Sequence, residues 1–188
     1  MSDPKNETAC CFTGHRPEKM PALRDEQHPD VVKLKMVLQA DMMAKASAGC
    51  RTFISGCGKG VDIICGELVL ALKERELVDA RLVCVLPFRG FEKRLGEPWT
   101  QRCEMLMRAA DEVIVLGENY ARGCFHRRNR YMVDHAEYVI AVYDGSETGG
   151  TAYTVQYAAR QGRSIAVYNL RGHDVWKSKV CNFPQKSV

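Results

Sequence analysis

The sequence predicts an α/β domain built on a single doubly wound, mainly parallel sheet of about six strands with helices on both faces. Three observations lead there. Short β-rich runs alternate along the chain with segments of helical periodicity. Most of these runs are apolar on both of their alternating faces, as strands are when helices cover a sheet from two sides. Glycine-rich turns follow several of the runs and open helices, which in a doubly wound sheet places them beyond the carboxyl ends of the strands.

The first run, Ala9-Cys-Cys-Phe-Thr13, is followed by a helix predicted over 30–48, where Val31, Leu34, Leu38 and Met42 form one stripe and Gly49 is a stop. A second strand over 52–55 leads into a helix carrying Val61, Ile64, Cys65, Leu68 and Leu72 on one face. The third strand covers 82–86, and a helix opened by Pro98 and marked by Trp99, Cys103, Leu106 and Ala110 follows it. Strands at 112–116, 138–143 and 164–168 alternate with helices predicted over 128–135 and 151–160, the last ended by Gly162. The pattern fades over 171–188, which reads as a C-terminal tail with Trp176 and Phe183 as anchors; the domain itself spans 9–170.

With 46% hydrophobic and 27% charged residues the chain can bury a substantial interior, which excludes global disorder. A net charge of +4 suits small phosphorylated ligands and falls short of a dedicated nucleic-acid binder. The nine cysteines contain no Cys-x-x-Cys pair and sit largely in apolar runs, so they read as buried thiols of a reducing cytosol. Residues 1–8 are polar and lack the basic start and apolar stretch of a secretory signal, and no run approaches the roughly 18 apolar residues of a membrane span. A cytoplasmic protein with no membrane partner is expected. His28, His135 and His173 lack metal-ligand spacing with Cys or acidic residues, so no metal is expected; no resident cofactor is expected either.

The chemistry lies after the strands. In Thr13-Gly-His-Arg-Pro17, Gly14 permits a tight backbone turn while His15 and Arg16 supply donors for a phosphate or ribose. Ser55-Gly-Cys-Gly-Lys-Gly-Val-Asp62 is a glycine-rich turn into a helix whose free amides and dipole favour an anion. Its Gly56, Gly58 and Gly60 match neither the dinucleotide fingerprint nor a Walker loop. Asp62 either caps that helix or accepts from a ligand hydroxyl. Asp144-Gly-Ser-Glu-Thr-Gly-Gly-Thr151 is a second such turn, with Gly149, Gly150 and Thr151 as backbone donors. The run 122–130 carries four arginines and His126 just ahead of a helix, and one or two of those arginines, Arg128 first, are expected to reach the ligand. Trp99 and Phe91 are either base-stacking residues or core, with core the commoner role for a helix-start aromatic.

Taken together, Cys11-Phe-Thr-Gly-His-Arg-Pro17, the Ser55–Asp62 turn, Arg128-Asn-Arg-Tyr-Met-Val-Asp134 and Gly149-Gly-Thr-Ala-Tyr-Thr-Val155 resemble the SLOG superfamily, in its YpsA-like branch, over about 10–169. The resemblance implies a Rossmann-like fold and a pocket for nucleotide-derived ligands. It also brings in phosphoribohydrolases, DNA-processing proteins and nucleotide sensors, among which fold alone does not choose. The hydrolase branch carries Arg-Lys-x-x-Met and Pro-Gly-Gly-x-Gly-Thr-x-x-Glu. Here Asn129 stands in the lysine place, Thr148 in that of the proline, Ala152 and Tyr153 in those of the third glycine and the threonine, and Gln156 in that of the glutamate. Glutamine cannot act as a general acid or base, so hydrolysis would need another carboxylate, Asp62, Asp134 or Glu67.

The expected function is a sensor or sequestering module that binds a nucleotide or ADP-ribose-like ligand at the carboxyl end of the sheet. A nucleotide N-glycosidase is the alternative, single-stranded DNA binding a second, and a homo-oligomeric scaffold a third. Alanine at Arg128 is expected to weaken binding without unfolding the chain.

Overall fold

In the central strands successive side chains go to opposite faces and both sets are buried, which requires a layer of helices on each side. The computed structural model describes residues 8–168 and 179–180. Its elements run β1 (Thr8–Gly14), α1 (Pro29–Ser47), β2 (Cys50–Ser55), α2 (Val61–Glu74), β3 (Arg81–Leu86), α3 (Trp99–Ala109), β4 (Glu112–Val115), α4 (Cys124–Asp134), β5 (Tyr138–Val142), α5 (Gly150–Arg160), β6 (Ser164–Tyr168) and β7 (Lys179–Val180). The sheet order is β4-β3-β2-β1-β5-β6-β7; β1 to β6 are parallel, and β7 lies antiparallel to β6.

Cys10 and Phe12 of β1, Phe53 of β2, Leu82 and Cys84 of β3 and Ile140 of β5 point to the layer of α1, α2 and α3. Their neighbours Cys11, Ile54, Val83 and Val139 point the other way, onto Met132 and Val133 of α4 and Ala152, Val155 and Ala158 of α5. The chain thus grows outward from β1 through β2 and β3 to β4, then crosses back to build β5 and β6 on β1's other side. Right-handed crossovers put the helices of the two halves on opposite faces.

Each strand expected from sequence is present within two residues of its place. The largest difference among the helices is at α4, which begins at Cys124 rather than near Arg128. Its buried face is Cys124, Arg128, Met132, a proper four-residue spacing hidden in the sequence because an arginine occupies the middle place. Most of the arginine run therefore belongs to the helix and not to a loop ahead of it. Of the methionines on α1, Met42 is fully buried while Met36 and Met43 are exposed. The tail expected over 171–188, with Trp176 and Phe183, lies outside the described residues except for the backbone of Lys179 and Val180, which pairs with Val167 and Ala166.

Eight cysteines are free and buried, and Cys181 lies outside the described residues. Burial pushes the Cys11 thiol up to about 12 and that of Cys50 to about 11, so neither is a ready nucleophile. Among the described residues no helix is long and apolar enough to cross a membrane.

Phe12 and Phe53 stack across β1 and β2 with ring centroids 5.9 Å apart, and both are fully buried. Phe12→Ala should cost about 3–5 kcal/mol. A urea titration checks this as a lowered midpoint at unchanged slope.

Candidate functional site

The order β4-β3-β2-β1-β5-β6 reverses its direction of growth between β1 and β5, and an open α/β sheet has its crevice beyond the carboxyl ends of the strands at such a point. A cavity of about 520 Å³ lies there. Its walls come from the end of β1, the β2–α2 turn, the first turns of α4 and the β5–α5 turn.

Close backbone approach brings these walls together. A Cβ on Gly14 would stand 2.5 Å from Val61, the first residue of α2. Gly60, at φ +93°, precedes α2 in a conformation that disfavours side chains, and a Cβ there would stand 2.8 Å from the His15 carbonyl. The amides that open α2 and α5 have no carbonyl one turn earlier in their own helix, so both helix starts favour an anion.

Arg128 projects from the second turn of α4 to the floor of the cavity and is only 4% exposed. One guanidinium nitrogen, Nη1, donates to the Gly56 carbonyl and lies 3.5 Å from the Asp62 carboxylate. A Cβ on Gly56 would collide with that nitrogen, which accounts for glycine at this position. The Arg128 Nε is buried with no hydrogen-bond partner. Asp62 also accepts from the Gly58 amide at 3.3 Å. Burial pushes the Asp62 carboxyl up, against the pull of Arg128. Asp62 is thus the counter-charge of Arg128 and a brace of the β2–α2 turn, while the helix cap itself is Gly60.

Ser55, fully buried, donates its hydroxyl to the Asp62 carbonyl at 2.8 Å and accepts from the Cys57 amide at 3.2 Å. On the opposite wall Asn129 donates to Thr154 Oγ1 at 2.8 Å, and that hydroxyl donates to the Gly150 carbonyl at 2.8 Å, fixing α4 against the start of α5. His15 Nε2 lies 2.9 Å from Asp144 Oδ1. Burial works against the charge on Asp144, but the Ser146 amide, donating at 2.9 Å, and His15 outweigh it and hold the carboxyl well below the usual carboxylate range.

Of the residues expected from sequence, Gly14, His15, Arg16, Gly58 and Asp62 line the cavity from one side, and Arg128, Asn129, Gly149, Gly150 and Thr151 from the other. Ser55, Gly56, Gly60 and Asp144 do not line it; they stand behind the wall as braces and close-approach points. Sequence reasoning missed Glu18, Lys19, Lys59, Phe125, His126 and Thr148, all of which line it. Lys59 sits inside a turn already read as an anion cradle, and that position was the available signal.

The weaker candidates fall elsewhere. Trp99 and Phe91 are core residues, and Trp99 carries the Arg102 guanidinium over its ring at 4.4 Å. Glu67 is held by Arg102, and Asp134 accepts from the Tyr157 hydroxyl at 2.8 Å. Gln156 is exposed on α5, with Nε2 3.5 Å from the Glu147 carbonyl. None of these lines the cavity. Among the described residues no group of three or more His, Cys, Asp or Glu is placed to hold a metal ion.

Comparison with known proteins gives a consistent placement. The family described as the YspA SLOG family matches residues 10–171. The uncharacterized SPbeta prophage-derived protein YoqJ of Bacillus subtilis (strain 168) is 27% identical over 166 residues, covering 80% of this chain and 90% of its own length. A UPF0398 protein of Bacillus thuringiensis (strain Al Hakam) is 25% identical over 152 residues, covering 80% and 82%. Among solved structures, the X-ray structure of TM1055 superposes with a TM-score of 0.51 at 17% identity, over 84% of this chain and 72% of that one, which supports the Rossmann-like architecture.

Two outcomes follow from the charges at the site. Arg128→Ala would leave Asp62 buried without its partner, so it should cost about 3–5 kcal/mol of stability, more than sequence alone led us to expect; a urea titration measures it. Because the Asp144 carboxyl is depressed in the folded state, its contribution is complete above the ordinary carboxylate range and is lost as pH falls through that range toward its own pKa. Asp144→Asn should therefore flatten the loss of Tm below about pH 5, measured by thermal melts across an acid series.

Proposed function

Because the chain belongs to the SLOG family, in its YspA branch, we propose that it binds a nucleotide or nucleotide-derived, ADP-ribose-like ligand in the cavity between β1 and β5, as a sensor or sequestering module. The observation that carries this reading is Arg128: a buried guanidinium that lines the cavity beside the glycine-rich turn opening α2, in a lining that also holds the start of α5. A phosphate oxygen is the acceptor that suits a guanidinium best.

A second cation points the same way. The Lys19 ammonium lies 3.2 Å from where a Cβ on Gly149 would stand, so a positive charge sits against the start of α5, itself the positive end of a helix. That juxtaposition is unfavourable until an anion comes between them. Phosphates therefore lie across the β2–α2 and β5–α5 turns, with Phe125 and His126 at the cavity wall for the base or sugar.

Binding without turnover is favoured over hydrolysis. The two carboxylates that line the cavity, Asp62 and Glu18, are each engaged with a cation, Arg128 and Lys59 respectively. The place of the hydrolase glutamate is taken by Gln156, outside the lining.

A thermal-shift screen against nucleoside monophosphates, cyclic and linear dinucleotides, NAD, ADP-ribose and cyclic ADP-ribose tests the reading. A ligand at 100 times its Kd stabilises the native state by about 2.7 kcal/mol, and the bound species should be recovered intact. Arg16→Ala and Lys19→Ala, both at exposed positions, should each weaken that ligand by about tenfold or more without lowering the unliganded Tm. No shift with any of these compounds, or release of free base, overturns it.

A further inference from the structure

The turn after β1 is closed by the Lys19 and Met20 amides, both donating to the Arg16 carbonyl, at 2.9 and 3.0 Å. His15, Pro17 and Met20 are buried and anchor it, leaving Arg16, Glu18 and Lys19 exposed around the cavity mouth. Its two consecutive charged residues go to different walls. Lys19 lies against Gly149 of the β5–α5 turn, whereas the Glu18 carboxylate forms an ion pair with Lys59 of the β2–α2 turn. Lys59 is the lysine of the glycine-rich cradle that opens α2, and both it and Glu18 line the cavity.

Resting on the phosphate-binding reading above, we infer that Glu18 is a specificity-determining residue of the site: an internal anion seated on Lys59, which a ligand's phosphoryl group must displace to complete its binding. The exchange needs only a side-chain rotation, because Glu18 is 52% exposed and can swing into solvent while the turn beneath it stays anchored. Lys59, only 24% exposed, stays at the cavity wall to receive the incoming group. A phosphoryl group with more than one negative charge gains more at that ammonium than the single charge of Glu18 loses, whereas a monoanionic carboxylate gains nothing by the exchange. The ligand class this selects carries phosphoryl groups of high charge, and carboxylate metabolites of similar size are turned away.

Isothermal titration of inorganic pyrophosphate into the full chain tests this, using the wild type, Glu18→Gln, Glu18→Asp, Lys59→Met and the Glu18→Gln/Lys59→Met double variant. Glu18→Gln should tighten pyrophosphate by up to about fivefold, the range of a partly exposed ion pair. Glu18→Asp keeps the charge but shortens the reach to Lys59, and it should also tighten binding. Lys59→Met should weaken binding, and in its background Glu18→Gln should have no further effect. A gain from Glu18→Gln that persists without Lys59 would mean a general field effect and would overturn the inference, as would equal affinities for wild type and Glu18→Gln. Absence of pyrophosphate binding to all five proteins would overturn the Lys59 subsite, while the nucleotide reading would stand or fall on its own thermal-shift screen.

Discussion

The Arg128 guanidinium has to be answered by its surroundings, since a charge taken out of water and left unpaired costs several kcal/mol. The answers it receives organise the cavity. Gly56 is held by its carbonyl and admits no side chain, Asp62 is fixed as counter-charge, and through Asp62 the Gly58 amide and the Ser55 hydroxyl are drawn into one braced turn. Because Arg128 comes from α4 and the turn from β2–α2, this one side chain joins elements on opposite faces of the sheet. The β5–α5 wall is tied in separately, through Asn129 one residue further along the same helix.

The fold was largely legible because most strands of the parallel sheet are apolar on both faces, the pattern expected of a sheet covered on two sides. The glycine turns were legible for a related reason, since their positions after strands follow from the alternation itself. What stayed hidden is instructive. The start of α4 was misplaced because its apolar stripe runs through Arg128, and a charged residue in a buried place reads as a surface position. Ser55, Gly56, Gly60 and Asp144 have the residue types of a ligand site, but the same donors and bare backbones also serve to brace a turn. Composition does not tell a group that faces a ligand from one that holds its neighbour in place. Conversely Glu18 and Lys19 carry no motif, and their places at the cavity come from a four-residue turn that sends adjacent side chains to two different loops.

The charges around the cavity fall into two groups. Arg128 with Asp62 forms a buried pair, and Lys59 with Glu18 a half-exposed one at the cavity wall. Arg16 and Lys19 stand exposed at the mouth. In the proposed function, the outer cations would attract an anionic ligand at long range before it meets the paired ones. The turn that carries the buried pair is already fixed by hydrogen bonds, which would keep the reorganisation on such binding small.

The sheet order has a temporal side as well. β1 is the central strand, yet one of its two neighbours, β5, is made more than a hundred positions later; the Ala9 amide bonds to Glu137, 128 residues along. As the chain emerges from the ribosome, β1 to β4 can pair in order while one edge of β1 stays bare, and the fourth wall of the cavity, the β5–α5 turn, arrives last. The half-built sheet leaves the backbone groups along one side of β1 unpaired and the cavity one wall short. The strand that completes the centre of the sheet and the turn that completes the cavity wall thus come from the same late stretch of chain.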